Sequence, residues 1–439
     1  MMVKPITFCI PTAKNEKDYV LLLIDSLKKN TDISKHEILV FIDSDNQNTY
    51  DALLSVQKDI PTLKIYQNTN EFPFGGQRNV SIMFHAASND IVCYLQSDMV
   101  VGKNLDVHIS NDLSSEMDIL SLTRIEPPLH PPSKEKIVKD FGIDALTFDM
   151  KSFDTFVEEL QSENRPIELD AHFAPFALHK KLWFEKIGGF DTQFRCSRED
   201  SDFIIRCKLN NINLIQTWKG VVYHFTCVSS RGKDWFKKDD EEIKIKNELQ
   251  RLADYQELVR FTRKWGKFGH NIDYLYDISL VINVDRYVDF NILSAVEPLV
   301  SRLFINDESV VNNLIHSVKF QSEYFSNLRW NYSNEHWKSV IDKFNPTKFE
   351  DRIIYYKNKD EIFGDTVISC EYSGLHNGIN SLMQIMNNLN DLVNQTDIGV
   401  YEFGPFIFNI NKKINKVESL KILDTDWDNL LNNPPCLFK

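Results

Sequence analysis

No stretch of this chain stays apolar for the roughly 18 residues a membrane-spanning helix needs, and the opening M-M-V-K-P-I-T-F-C-I-P reads straight into a strand rather than a secretory leader. Cytoplasmic residence is therefore the expectation, with association at a membrane surface left open. Paired cysteines are missing too. The chain has seven, an odd number with no C-x-x-C spacing, and Cys9, Cys93, Cys207 and Cys227 lie in apolar segments, so reduced core thiols are expected instead of disulfides or a zinc site. Positive charge is in deficit. With 50 Lys and Arg against 63 Asp and Glu the formal charge is -13, which repels nucleic acid in bulk, and no nucleic-acid partner is expected. Neither a G-x-G-x-x-G after the first strand nor a P-loop is found, which speaks against a dinucleotide bound in the Rossmann manner.

What the chain has is length and alternation. Its 439 residues, 42% hydrophobic, suffice for two cores, and a change of composition divides it into residues 1–270 and 275–439. In the first part, apolar runs at Thr7–Ile10, Glu37–Ile42, Leu63–Tyr66 and Ile91–Leu95 alternate with helical periodicity at Glu16–Asn30, Tyr50–Gln57 and Gln77–Ala87. Short connections between such elements imply βαβ units and a mostly parallel sheet, an α/β fold. The second part mixes strand-like and helix-like stretches, among them a helix expected at Asn291–Phe304 and strands at Thr366–Glu371 and Gly399–Asn409. It reads as an α/β accessory domain without a catalytic constellation; acceptor binding and formation of a homo-oligomer are equal expectations for it.

Three strands of the first part end in polar residues at what should be one edge: Pro11-Thr12, Asp43-Ser44-Asp45 and Ser97-Asp98. In open parallel sheets that carboxyl edge is where ligands bind, so Asp98 either begins a turn or stands beside a nucleotide phosphate and its metal. Arg78 begins the helix after Gly75-Gly76 and is the best-placed basic residue, unless it is a solvated surface arginine. A segment broken by Pro127, Pro128, Pro131 and Pro132 follows, with a helix expected over Asp149–Glu163; insertions at this edge shape what a second substrate meets. Further on, R-E-D-S-D-F crowds Glu199, Asp200 and Asp202 at a helix start, where carboxylates are good caps whatever else they do. His224 is the polar residue of the run V-V-Y-H-F, either a satisfied core histidine or a ligand. A long charged helix is expected at Asp239–Lys264.

Taken in succession, I-P-T-x-x-N-E, the acidic end of the second strand, G-G-Q-R-N, L-Q-S-D-M, G-G-F-D-T-Q-F, E-D-S-D-F and V-Y-H-F resemble the GT-A nucleotide-sugar glycosyltransferases of family 2 and the galactosyltransferase-like group, over about residues 5–265. The resemblance implies a GT-A, Rossmann-like domain that inverts a sugar as it moves it from a nucleotide diphosphate, usually UDP, to a hydroxyl of a glycan, lipid or protein, with a divalent Mn or Mg ion. By position, Asp98 matches the last aspartate of the D-x-D motif and His224 a histidine of the metal shell. Pro11, Thr12, Glu16, Asp43, Arg78 and Ser97 fall at donor-lining positions. Asp200 matches the general base of the E-D motif, with Glu199 beside it. Gln96 departs from the family where the first aspartate of D-x-D usually stands. A catalytically silent nucleotide-sugar-binding module is the alternative that this departure allows.

Overall fold

The structure, a computed structural model, describes residues 3–13, 16–43, 48–68, 76–129, 131–133, 136–163, 165–169, 175–191, 194, 197–226, 257–263, 265, 277–328, 349–413 and 436–438. They belong to two compact units, residues 1–244 with 420–439, and residues 245–419.

The first unit begins with β1 (Ile6–Thr12), α1 (Lys17–Asn30), β2 (Glu37–Ile42), α2 (Thr49–Gln57), β3 (Leu63–Asn68), α3 (Gly76–Ala86), β4 (Ile91–Tyr94), β5 (Met99–Val101) and α4 (Leu105–Asp112). It continues with β6 (Asp118–Glu126), β7 (Lys136–Val138), α5 (Met150–Ser162), β8 (Glu168–Leu169), β9 (Phe176–His179), a π-helical turn at Leu182–Ile187, α6 (Glu199–Leu209) and β10 (Asn213–His224). All six residues of β2 are buried, as expected of a strand covered on both faces. Alternation along β1 sends Ile6, Phe8 and Ile10 into a core with Val20, Leu23 and Leu27 of α1, while Cys9 faces a second core with Val80 and Phe84 of α3.

Strand order is final strand (Cys436–Phe438), β3, β2, β1, β4, β9, β6, β10, β5, with β7 beside β6 and β8 beside β10. Strands β3, β2, β1 and β4 are parallel; β9 runs against both β4 and β6, and β10 runs parallel to β6. It follows that β6, β7 and β10 point the same way as β1 and β4, so seven of the described strands run toward one edge.

Several expectations change here. Strand β6 was hidden in the sequence because Pro127 follows it at once; its residues are nearly all buried between β9 and β10. The run V-V-Y-H of the sequence is the end of one long strand, β10, which begins at Asn213 and continues across a register shift between Thr217 and Val221. The final strand pairs antiparallel with β3 in the first sheet, whereas the sequence grouped everything after residue 275 together. Gly188 and Gly189, at φ 79° and 75°, end the π-helical turn in a conformation other residues adopt only with strain.

The second unit holds β11 (Ile278–Asn283), α7 (Phe290–Val296), β12 (Arg302–Ile305), α8 (Glu308–Leu328), β13 (Ile353–Tyr355), β14 (Thr366–Glu371), α9 (Tyr372–Asn387), α10 (Leu389–Gln395), β15 (Gly399–Phe403) and β16 (Phe406–Ile410). Its sheet has the order β13, β12, β11, β14, β16, β15, parallel through β14 and antiparallel beyond. The helix expected over Asn291–Phe304 stops at Val296, followed by a 3-10 turn around Pro298 and then β12, since proline cannot donate into a continuing helix. Buried Glu297 accepts from Arg263 at 2.7 Å and Arg352 at 3.1 Å. Of the charged helix expected at Asp239–Lys264, residues 239–256 and 264 lie outside the described residues; 257–263 is helical.

Candidate active site

The carboxyl edge of the first sheet is assembled by buried carboxylates. Glu16 lies just past β1, and one of its oxygens accepts from the Thr12 hydroxyl (3.2 Å), the Ala13 amide (2.8 Å) and the Ser97 hydroxyl (2.6 Å). A single side chain thus ties the end of β1 to the turn after β4. Asp43, at the end of β2, donates its amide to the Thr12 carbonyl and accepts from Asn68 at 2.9 Å, which fixes the next strand end along. Pro11 sits half-buried in β1.

Beyond β4 the chain turns through Ser97-Asp98 into β5, which pairs with β10 so that Met99 lies opposite His224. That register brings the Asp98 carboxylate to 3.5 Å from His224 Nε2. The other ring nitrogen, Nδ1, lies 2.9 Å from Glu126 at the end of β6. Glu126 also takes Lys136 of β7 at 2.7 Å and Arg124 at 3.5 Å. Burial works against its charged form. The hydrogen bond and charge of His224, with Arg124 and Lys136, outweigh that penalty and hold the carboxyl at about 2, well below 4.5. Beside Asp98, burial and then the charges of Asp144 and Asp98 push the Tyr19 phenol up to about 12, so it stays protonated.

Helix α6 leads into β10 and runs back across the sheet, so its first turn lies at this same edge. The backbone enters it through Arg198 at φ 70°. Its three carboxylates go to three fates. Asp202 is buried and grips Arg206 at 2.8 Å, while Arg206 donates to the Ile187 carbonyl at 2.6 Å; this pair is a fastener under the helix. Asp200 is exposed and accepts from the Ser201 amide at 2.6 Å. Glu199 is half-buried and faces Tyr94. The Tyr94 phenol, at the end of β4 with its ring 5.5 Å from that of Phe176, is raised by burial and then by the negative charges of Glu199 and Asp98. One hydroxyl therefore feels both the carboxylate of the α6 turn and the carboxylate beside His224.

Asp98 and His224 are brought together, as are Thr12, Glu16 and Ser97. Asp43 joins the second group through Thr12. Among the described contacts none joins Asp200 to Asp98. Arg78 lies in the first turn of α3, but its side chain, like Ser44 and Asp45, is outside the described residues. Glu126 and Tyr94 went unnoticed in the sequence. The signal for Glu126 was an acidic residue ending an unrecognised strand; Tyr94 read as one more apolar position of β4.

The chain matches the model for glycosyl transferase family 2 over residues 7–117, the segment from β1 to the stretch before β6. No curated protein sequence matches it. Similar solved structures include S. aureus TarS 1–349 (12% identity, TM-score 0.37, 58% of this chain and 80% of that one). Others are GalNAc-T7 with UDP, GalNAc and Mn2+ (11%, 0.39, 61% and 52%) and the mannosyltransferase PcManGT from Pyrobaculum calidifontis with GDP-Man and Mn2+ (14%, 0.39, 60% and 65%). This chain thus spans about half of the GalNAc-T7 structure. The matched residues 7–117 hold the ends of β1, β2 and β4, so the likeness to glycosyl transferase family 2 falls on the edge of the first unit where these strands finish.

Proposed function

We propose that the chain transfers a sugar, with inversion, from a nucleotide diphosphate donor, UDP-linked by preference, to a hydroxyl group of a glycan, lipid or protein. The observation that carries this reading is the Asp98–His224 pair, 3.5 Å apart, at the edge where the polar ends of β1, β2 and β4 gather within the family match. A divalent ion fits the donor set there. Oxygen and imidazole are Mn-type ligands, and an imidazole with Nδ1 committed to Glu126 presents Nε2 toward Asp98. Asp98 and His224 would hold the ion, which supplies charge stabilisation to a departing diphosphate.

The remaining roles belong to the protein's own groups. Thr12, Asp43 and Ser97, locked by Glu16 and Asn68, form a rigid floor for the nucleoside. Asp200, open to solvent at the helix start, accepts the proton of the acceptor hydroxyl, while Glu199 and Tyr94 align the acceptor. A single displacement with one base inverts the anomeric centre, so no nucleophilic carboxylate is needed.

The test is transfer and release of UDP across a panel of nucleotide sugars with Mn2+, for the native chain, Asp98→Asn and Asp200→Asn. Turnover by the native chain, lost in both variants while Asp200→Asn still binds UDP, supports the proposal. UDP binding without any turnover by the native chain returns the silent binding module.

A further inference from the structure

We propose that Glu126 is a positioning residue that sets the tautomer of His224 and links the metal-binding end of the site to the inserted strand β7. The inference rests on the reading of Asp98 and His224 as metal ligands.

The imidazole lies between two carboxylates, Asp98 at 3.5 Å from Nε2 and Glu126 at 2.9 Å from Nδ1. Only the second is hydrogen-bond geometry, so the proton belongs on Nδ1. Nε2 then turns its lone pair toward another acceptor, an arrangement that a cation, a second proton or a donor such as water relieves. Glu126 is suited to this task because its own position is over-determined. It is 3% exposed, ends a central strand, and its second oxygen is occupied by Lys136 at 2.7 Å. Lys136 belongs to β7, which pairs with β6 from Arg124 to Glu126 and is the first strand of the insertion that follows the proline cluster. Nothing in the sequence pattern of the family resemblance includes Glu126 or Lys136; only the register of β6, β7 and β10 joins them to His224.

The experiment uses the full chain. With 15N-labelled histidine, the His224 resonances, assigned by their loss in His224→Gln, report which ring nitrogen carries a proton, and Mn2+ titration followed by electron paramagnetic resonance gives the ion's affinity. The expected results are a protonated Nδ1 in the native chain and about 10–100-fold weaker Mn2+ binding in Glu126→Ala. Glu126→Gln, which keeps an acceptor, should retain the Nδ1 proton and most of the affinity. Lys136→Met should weaken Mn2+ binding in the same direction, although Lys136 touches neither ligand. An unprotonated Nδ1 in the native chain, or unchanged Mn2+ affinity in a folded Glu126→Ala, overturns the proposal. If Glu126→Ala does not fold, the native tautomer and Glu126→Gln decide it. If the native chain binds no Mn2+ at all, the metal part of the proposed function fails, while the tautomer still decides the role of Glu126.

Discussion

Three carboxylates within four residues of the α6 start give the sharpest separation of roles. Asp202 and Arg206 are 0% and 3% exposed and 2.8 Å apart, so replacing Asp202 by Ala strands a buried guanidinium beside the Ile187 carbonyl. Breaking such a pair costs about 3–5 kcal/mol. For a unit of this size each kcal/mol lowers the melting temperature by about 2–4 °C, giving a fall of about 6–20 °C. Asp200 is exposed and bonds mainly its own next residue, so Asp200→Asn should change stability by less than about 0.5 kcal/mol. In the proposed sugar transfer the order reverses: with Asp200 as the proposed base, Asp200→Asn should reduce kcat by about 10²–10⁴-fold. Urea unfolding followed by tryptophan emission is a direct assay, because Trp183 lies 5.2 Å from Phe203 of the same helix. A stability loss under about 1 kcal/mol for Asp202→Ala, or equal losses for both variants, would refute the division of labour.

Acid should expose the network at Glu126. Its carboxyl is depressed from 4.5 to about 2, so its stabilisation is complete above pH 4.5 and is lost as pH falls toward about 2. The amount at stake is about 3 kcal/mol, and Glu126→Gln should flatten the fall of unfolding free energy with pH over that window; an unchanged slope would show that the carboxylate is not stabilised there. Tyr94→Phe removes a protonated phenol lying near Glu199 and Asp98. If its hydroxyl aligns the acceptor as proposed, its loss should lower kcat about tenfold, the worth of one hydrogen bond, with KM for the donor nearly constant. A rise in KM at constant kcat would place Tyr94 on the donor instead.

The order of elements, the parallel core and the polar strand ends were legible in the sequence, because hydrophobic period and turn residues act within a few positions of one another. Thr7–Ile10, Glu37–Ile42 and Thr366–Glu371 each hold the strand that their β-branched and apolar residues favour. So do Asp98 and His224 as candidates, since each interrupts an apolar run at its end. Side-chain identity alone could not say which carboxylate at α6 is a fastener and which is open to solvent; burial of Asp202 against Arg206 decides that. Nor could it find Glu126, nearly a hundred residues from His224 in the chain. That contact exists because β6 and β10 lie side by side and parallel with a register shift between Thr217 and Val221, and the registry of distant strands is fixed by packing of the whole sheet, not by any local stretch of residues.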